Sequence, residues 1–190
     1  NINPELIENK ITPKTKAIMP VHLYGQPCNM TRIMEIAKNN NLYVIEDNAQ
    51  GHLSKWNNSY TGTFGDINAT SFYPTKNIGA IGEAGAVTTN NLNLAEYVKL
   101  YRNYGSKIKY QNNIKGVNSR IDEIQAAIIN VKLNYIVEMN NERIKNAKLY
   151  NDLLKNTDII TPYNHPDSYH TYHLYVVRHT KRDSLQKYLY

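Results

Sequence analysis

The sequence is poor in sulfur and in long apolar runs. Its 190 residues hold one cysteine, Cys28, so no disulfide can form within the chain. That fits a reducing compartment and gives a cytoplasmic expectation. No apolar run approaches the roughly 18 residues of a membrane span, and no signal-peptide pattern is visible. Lysine and arginine outnumber aspartate and glutamate by 22 to 16, a net charge of +6, yet no basic block exists beyond Lys107-Ile108-Lys109. A nucleic-acid groove is therefore disfavoured; the charge reads as a basic solvated surface or as attraction for phosphorylated small molecules. The histidines lack a metal spacing: on an extended run, His170 and His173 fall on opposite faces. There is no Ser/His/Asp triad. The glycines of GAIGEAG (Gly79 to Gly85) match neither a Walker loop nor a dinucleotide fingerprint. No internal repeat or low-complexity tract occurs.

What is present is an alternating α/β pattern, in a chain long enough for a sizeable core. Apolar spacing predicts a weak helix over residues 3–11, a strand over 16–24 with an irregularity at Pro20, and a helix over 31–40 with Ile33, Met34, Ile36 and Ala37 inward. A strand follows over 42–47. Strand, helix and strand with short links make a βαβ unit, hence a parallel pair. Residues 50–65 read as a long polar loop, 66–73 as a strand, 76–85 as a glycine-punctuated loop and 86–89 as a short strand. A helix is expected over 94–104 with Leu94, Tyr97, Val98 and Tyr101 inward, then a polar segment over 105–116. Ser119 to Asp122 resembles a capping box before a helix striped by Ile121, Ile124, Ala127, Ile128, Val131 and Leu133. A further helix runs over 135–154. Residues 156–167, with Pro162 and Pro166, read as a linker between a domain over 1–155 and the start of a second over 156–190. HTYHLYVVR (His170 to Arg178) reads as a strand of that second unit.

Two strings carry the chemistry. VIEDNAQ (Val44 to Gln50) ends an apolar strand in Glu46 and Asp47. SFYPTKN (Ser71 to Asn77) places Lys76 just past the next strand. A lysine can form a Schiff base with a carbonyl cofactor, and a carboxylate can keep a pyridinium nitrogen protonated. Delivered to one rim, the pair points to pyridoxal 5'-phosphate. Ser71 can contact a phosphate and Gln50 a phenolic oxygen. His52 either polarises a substrate or satisfies backbone, and His22 reads as a core histidine. Each residue alone has an ordinary structural reading, as a cap, a surface charge or a solvated side chain.

Five strings in order and in register bring these residues together: VHLYGQ (Val21 to Gln26), VIEDNAQGH (Val44 to His52), GDINATSFYPTKNIGAIGEAGAVTTN (Gly65 to Asn90), RNYGS (Arg102 to Ser106) and NSRIDEIQAA (Asn118 to Ala127). They resemble the DegT/StrS family of pyridoxal-phosphate-dependent nucleotide-sugar aminotransferases, most of all the branch acting at carbon 3 of dTDP-linked keto-6-deoxyhexoses. The resemblance implies an α/β, aspartate aminotransferase-like fold (fold type I), with a mixed, mostly parallel sheet, flanking helices and the start of a smaller C-terminal α+β domain. It implies that Lys76 is the Schiff-base lysine and moves the proton. Asp47 holds the pyridine nitrogen, Gln50 the phenolic oxygen and Ser71 the phosphate. Asn118 reaches the phosphate of a neighbouring subunit, so a homodimer with shared sites is implied. Tyr73 borders the substrate, a nucleotide sugar, and the amino donor is an amino acid such as glutamate; His52 is carried as a substrate candidate on its own reading alone. No metal is implied. Asn48, Leu53-Ser54 and Glu83 depart from the family pattern. The upstream phosphate loop and ring-stacking aromatic have no counterpart here, so the chain reads as the middle of a longer protein and is not expected to catalyse alone. A sugar dehydratase of the same family carries histidine in place of the lysine, which Lys76 opposes. The alternative is a non-catalytic regulatory or scaffolding protein on the same fold.

Overall fold

The computed structural model describes residues 1–190. A four-stranded sheet runs in the order β1 (Ala17–Ile18), β2 (Tyr43–Asp47), β5 (Ile67–Ser71), β6 (Gly85–Thr88). The first three are mutually parallel, and β6 is antiparallel to β5. The expected βαβ unit forms, with α1 (Met30–Asn39) between β1 and β2. Asn29 starts α1 by accepting from Arg32 N. Met30, Ile33, Ile36 and Ala37 are buried against Ile18, Val44, Cys28 and Trp56. Each such large side chain contributes roughly 1.5–3 kcal/mol by leaving water.

Several segments differ from the sequence expectation, each for a local reason. The first turns are two 3-10 turns, Pro4–Leu6 and Glu8–Lys10, rather than one helix. The strand expected over 16–24 stops at Ile18. Pro20 has no N–H for the ladder, and pairing resumes only as a bridge between Val21 and Asp47. The polar loop 50–65 contains a hairpin, β3 (Lys55–Trp56) and β4 (Ser59–Tyr60), turned by Asn57 and Asn58 at φ 46° and 65°. Asparagine tolerates that left-handed pair better than most residues. Trp56 Nε1 donates to Thr31 Oγ1 at 2.8 Å and ties the hairpin to α1.

α2 (Leu92–Tyr101) has no buried residue, and Tyr97 and Tyr101, expected inward, are exposed and stacked on each other. The polar segment after it is a ribbon of β7 (Ser106–Ile108) and β8 (Gln111–Asn112). The capping box does not form, because Ser119 N is used by Arg102 O. α3 (Glu123–Leu133) starts instead after Asp122, which makes no side-chain cap. Its expected core stripe faces outward: Ile124 and Val131 are each 60% exposed, and Ile129 alone is buried. α4 (Ile136–Leu154) buries Ile136, Asn140 and Ala147. A second core cluster joins Ile129 and Ile136 to Ile78 and Ala80 of the glycine loop.

The strand expected over 170–178 is not formed. β9 (Ser168–Tyr169) pairs with β3, and Tyr172, at φ 46°, breaks the extended run. Thr171 N and Leu174 N donate to the carbonyls of Gly25 and Tyr24 instead. Both His170 and His173 are consequently buried. α5 (Arg182–Leu189) ends the chain. No helix is long and apolar enough to cross a membrane.

Candidate active site

The site is built on the carboxyl ends of β2 and β5. Along β2 the side chains alternate: Val44 and Glu46 are fully buried, while Ile45 and Asp47 are part-exposed on the other face. Glu46 accepts from His22 Nε2 at 2.8 Å and from the backbone N–H groups of Gly62, Phe64 and Gly65 at 2.7 Å each. Burial alone would raise its pKa; His22 and the backbone donors outweigh that and hold it below the ordinary carboxylate range. Cys28 N donates to His22 Nδ1, so the proton of this ring sits on Nε2, facing the carboxylate. This anchor shapes the loop from Gly62 to Gly65. It escaped the reading of the sequence, which singled out only its neighbour; the signal was the pair of glycines facing an acid on a strand.

Asp47 is in register with Ala69 of β5, two residues before Ser71. Adjacent parallel strands therefore bring Asp47 and Ser71 to one rim, where ligands bind in open α/β sheets. Asp47 Oδ1 accepts from Ala49 N, and no cation pairs with its carboxylate. Ser71 Oγ accepts from Tyr73 N, which leaves its own proton free to donate. Gln50 Oε1 accepts from Tyr24 N at 2.6 Å, so the amide nitrogen of Gln50 is the group left to meet an oxygen acceptor.

Lys76 lies in the turn after β5, its N–H donating to Tyr73 O. Its side chain makes no ion pair and no hydrogen bond. It lies close enough to His52 and His173 for its charge to act on both: burial first, then these neighbouring charges, pushes each ring down to about 4. His52 is buried, and both of its nitrogens are engaged. Nδ1 accepts from Ile78 N at 3.3 Å, and Nε2 faces Thr70 Oγ1 at 3.1 Å. Tyr73 is 44% exposed beside the rim. Asn118 is exposed in the bridge to Asn103, with Arg120 as its side-chain partner, and no hydrogen bond links it to the other six residues. No group of three or more His, Cys, Asp or Glu converges.

An unpaired carboxylate, a free hydroxyl donor, a free amide donor and a lysine without a partner match the ring nitrogen, phosphate, phenolic oxygen and carbonyl of pyridoxal phosphate. The donor set fits that group.

Comparison with known proteins identifies the family of the chain. The profile of the DegT/DnrJ/EryC1/StrS aminotransferase family matches residues 1–190. A dTDP-3-amino-3,6-dideoxy-alpha-D-galactopyranose transaminase of Aneurinibacillus thermoaerophilus is 51% identical over all of this chain and 52% of its own length. A "pleiotropic regulatory protein" of Geobacillus stearothermophilus is 44% identical, again over all of this chain and 52% of its own length. The structure of DesV from S. venezuelae, solved in complex with a ketimine intermediate, superposes with a TM-score of 0.96 at 40% identity. That match covers 99% of this chain and 51% of DesV. The chain thus spans about half the length of the curated relatives it matches. Its fold is the aminotransferase fold of these neighbours, and the chain belongs to the DegT/DnrJ/EryC1/StrS aminotransferase family.

Proposed function

We propose that this chain carries the cofactor side of a pyridoxal-phosphate-dependent transaminase acting on a nucleotide-linked keto-sugar, at carbon 3 of a dTDP-linked 6-deoxyhexose, with glutamate as amino donor. The product would enter amino-sugar synthesis for a surface polysaccharide or a natural product, in the cytoplasm. The observation that carries the reading is that Asp47, at the end of β2, meets no cation, while Lys76, in the turn after β5, makes no ion pair and no side-chain hydrogen bond. Similarity to a dTDP-amino-sugar transaminase supplies the substrate class.

Bound pyridoxal phosphate supplies an electron sink for the carbon that loses its proton. Asp47 would hold the ring nitrogen in its protonated form and orient the ring. The Ser71 hydroxyl would donate to the phosphate, and the Gln50 amide would donate to the phenolic oxygen. Lys76 would hold the cofactor at its carbonyl carbon, and its amine would carry the proton. Proton transfer of this kind is worth roughly 100- to 10,000-fold. Asn118, exposed and turned to solvent, serves the site of a second copy in a homodimer, and Tyr73 borders the sugar, whereas His52, expected beside the substrate, is buried with both ring nitrogens engaged and satisfies the backbone of Ile78 instead. In this reading the division of the chain at residue 155 separates the cofactor-binding domain from the start of a smaller one. The non-catalytic alternative gives no reason for leaving Lys76 and Asp47 both unpaired.

The test uses protein at the full length of its relatives. With pyridoxal phosphate it should show a visible absorption band that bleaches on addition of glutamate. Lys76→Ala should abolish the band and lower turnover by at least about 100-fold. Unchanged turnover in that variant would end the assignment.

A further inference from the structure

The side chain next to Lys76 is the hub of a closed hydrogen-bond network. Asn77 is 1% exposed. Its Nδ2 donates to Asn140 Oδ1 on α4 at 2.7 Å and to the Thr171 carbonyl at 3.3 Å. Both of these partners can only accept in this arrangement, so the orientation of the carboxamide is fixed. Asn77 Oδ1 must then accept, and His173 Nδ1, 3.1 Å away, carries the proton. Asn140 Nδ2 donates onward to the His52 carbonyl at 3.0 Å. The His52 ring takes the N–H of Ile78, two residues past Lys76. Thr70 closes the chain: its hydroxyl donates to Asn48 O and accepts from His52 Nε2.

Every polarity in this network follows from the one before it. It pins residues 77 and 78 to α4, to the loop after β2 and to residues 170–173. Ile78 and Ala80 add an apolar anchor against Ile129 and Ile136. Lys76 alone in this segment has a free side chain. The backbone is held from three directions while the amine stays uncommitted. A buried polar network that is fully satisfied fixes one conformation, whereas a half-satisfied one does not.

We propose that Asn77, held by His173 and Asn140, is the positioning residue for Lys76. It fixes the backbone from which the amine is presented and makes residues 170–173, over ninety positions away, a necessary support for the site. This rests on the role proposed above for Lys76. Misplacing a reacting group by about 1 Å can cost about 100-fold in rate.

The experiment uses full-length protein and two readouts. One is kcat and KM for both substrates. The other is the rate at which an amine-acylating reagent modifies Lys76 in cofactor-free protein, followed by peptide mass. Asn77→Ala should lower kcat ten- to 100-fold with KM changed less than threefold. It should also speed Lys76 acylation more than threefold. At position 173, asparagine can place its amide where Nδ1 stands, and glutamine can place its amide where Nε2 stands. His173→Asn should therefore stay within threefold of wild type on both readouts, and His173→Gln should behave like Asn77→Ala. If Asn77→Ala does not fold, the two His173 variants decide alone. Asn77→Ala within threefold of wild type, or the two His173 variants alike, overturns the proposal. Lys76→Ala serves as control: if it retains turnover the transaminase reading fails, and if it is dead while Asn77→Ala is normal only the positioning role fails.

Discussion

Glu46 and Asp47 are neighbours in sequence with opposite surroundings. Glu46 is sealed among four donors, whereas Asp47 keeps one oxygen uncommitted at the rim. Glu46→Gln would turn an amide towards N–H groups that need an acceptor. The variant should lose about 3 kcal/mol of stability, read as a lowered urea midpoint with an unchanged slope. The buried histidines set a pH dependence. Burial lowers His52, His170 and His173 from 6.5 to about 4. The unfolded chain therefore binds protons that the folded chain refuses. Their contribution is fully present above about pH 6.5 and is lost as pH falls towards 4, by up to about 1.4 kcal/mol per pH unit for each ring. Glu46, with its depressed pKa, adds a further loss at lower pH as its carboxylate is protonated. Urea titrations at stepped pH should show stability flat above neutrality and falling steeply below about pH 6. A flat profile down to pH 4 would contradict the burial of these rings.

Among the elements, α1 and β2 could be read from the sequence because their signals are local. An asparagine cap opens a 3.6-residue apolar rhythm, and a β-rich run follows directly. The position of Asp47 at the end of β2 was legible for the same reason, whereas β5, expected to run to residue 73, ends at Ser71. What could not be read depended on partners distant in sequence. The β3–β4 hairpin exists because Glu46 gathers its flanking glycines and Thr31 holds Trp56. Residues 170–173 are non-extended because they bond to the turn at Tyr24 and Gly25. The hairpin turn offers a local test. Asn58, at φ 65°, should accept glycine with little change, whereas Asn58→Ala should cost about 1 kcal/mol, as measured by thermal melting.

For the whole molecule, the most informative surface is the outer face of α3. The sequence pattern correctly marked Ile124, Ala127, Ile128 and Val131 as one stripe. Amphipathic spacing shows that a face is covered, not whether the cover is the core or a second chain. Here it points away from the core that Ile129 enters. The stripe is uncovered in this chain, and the proposed homodimer can be tested on it. Ile124→Asp combined with Val131→Lys in full-length protein should halve the mass seen by sedimentation, with each subunit still folded by circular dichroism. An unchanged mass would place the dimer contact elsewhere.

The alternation of β2 has a consequence for how this chain can change over time. Side chains of a strand swap faces with every single-residue slip. One residue gained or lost in the link from Asn40 to Leu42 would send Asp47 into the interior and bring its neighbour to the rim. The length of that link is constrained, and its residues are held as well: Asn40 Nδ2 donates to Ile36 O, Asn41 sits at φ 52° and Leu42 packs against the core. Insertions and deletions there should therefore be purged.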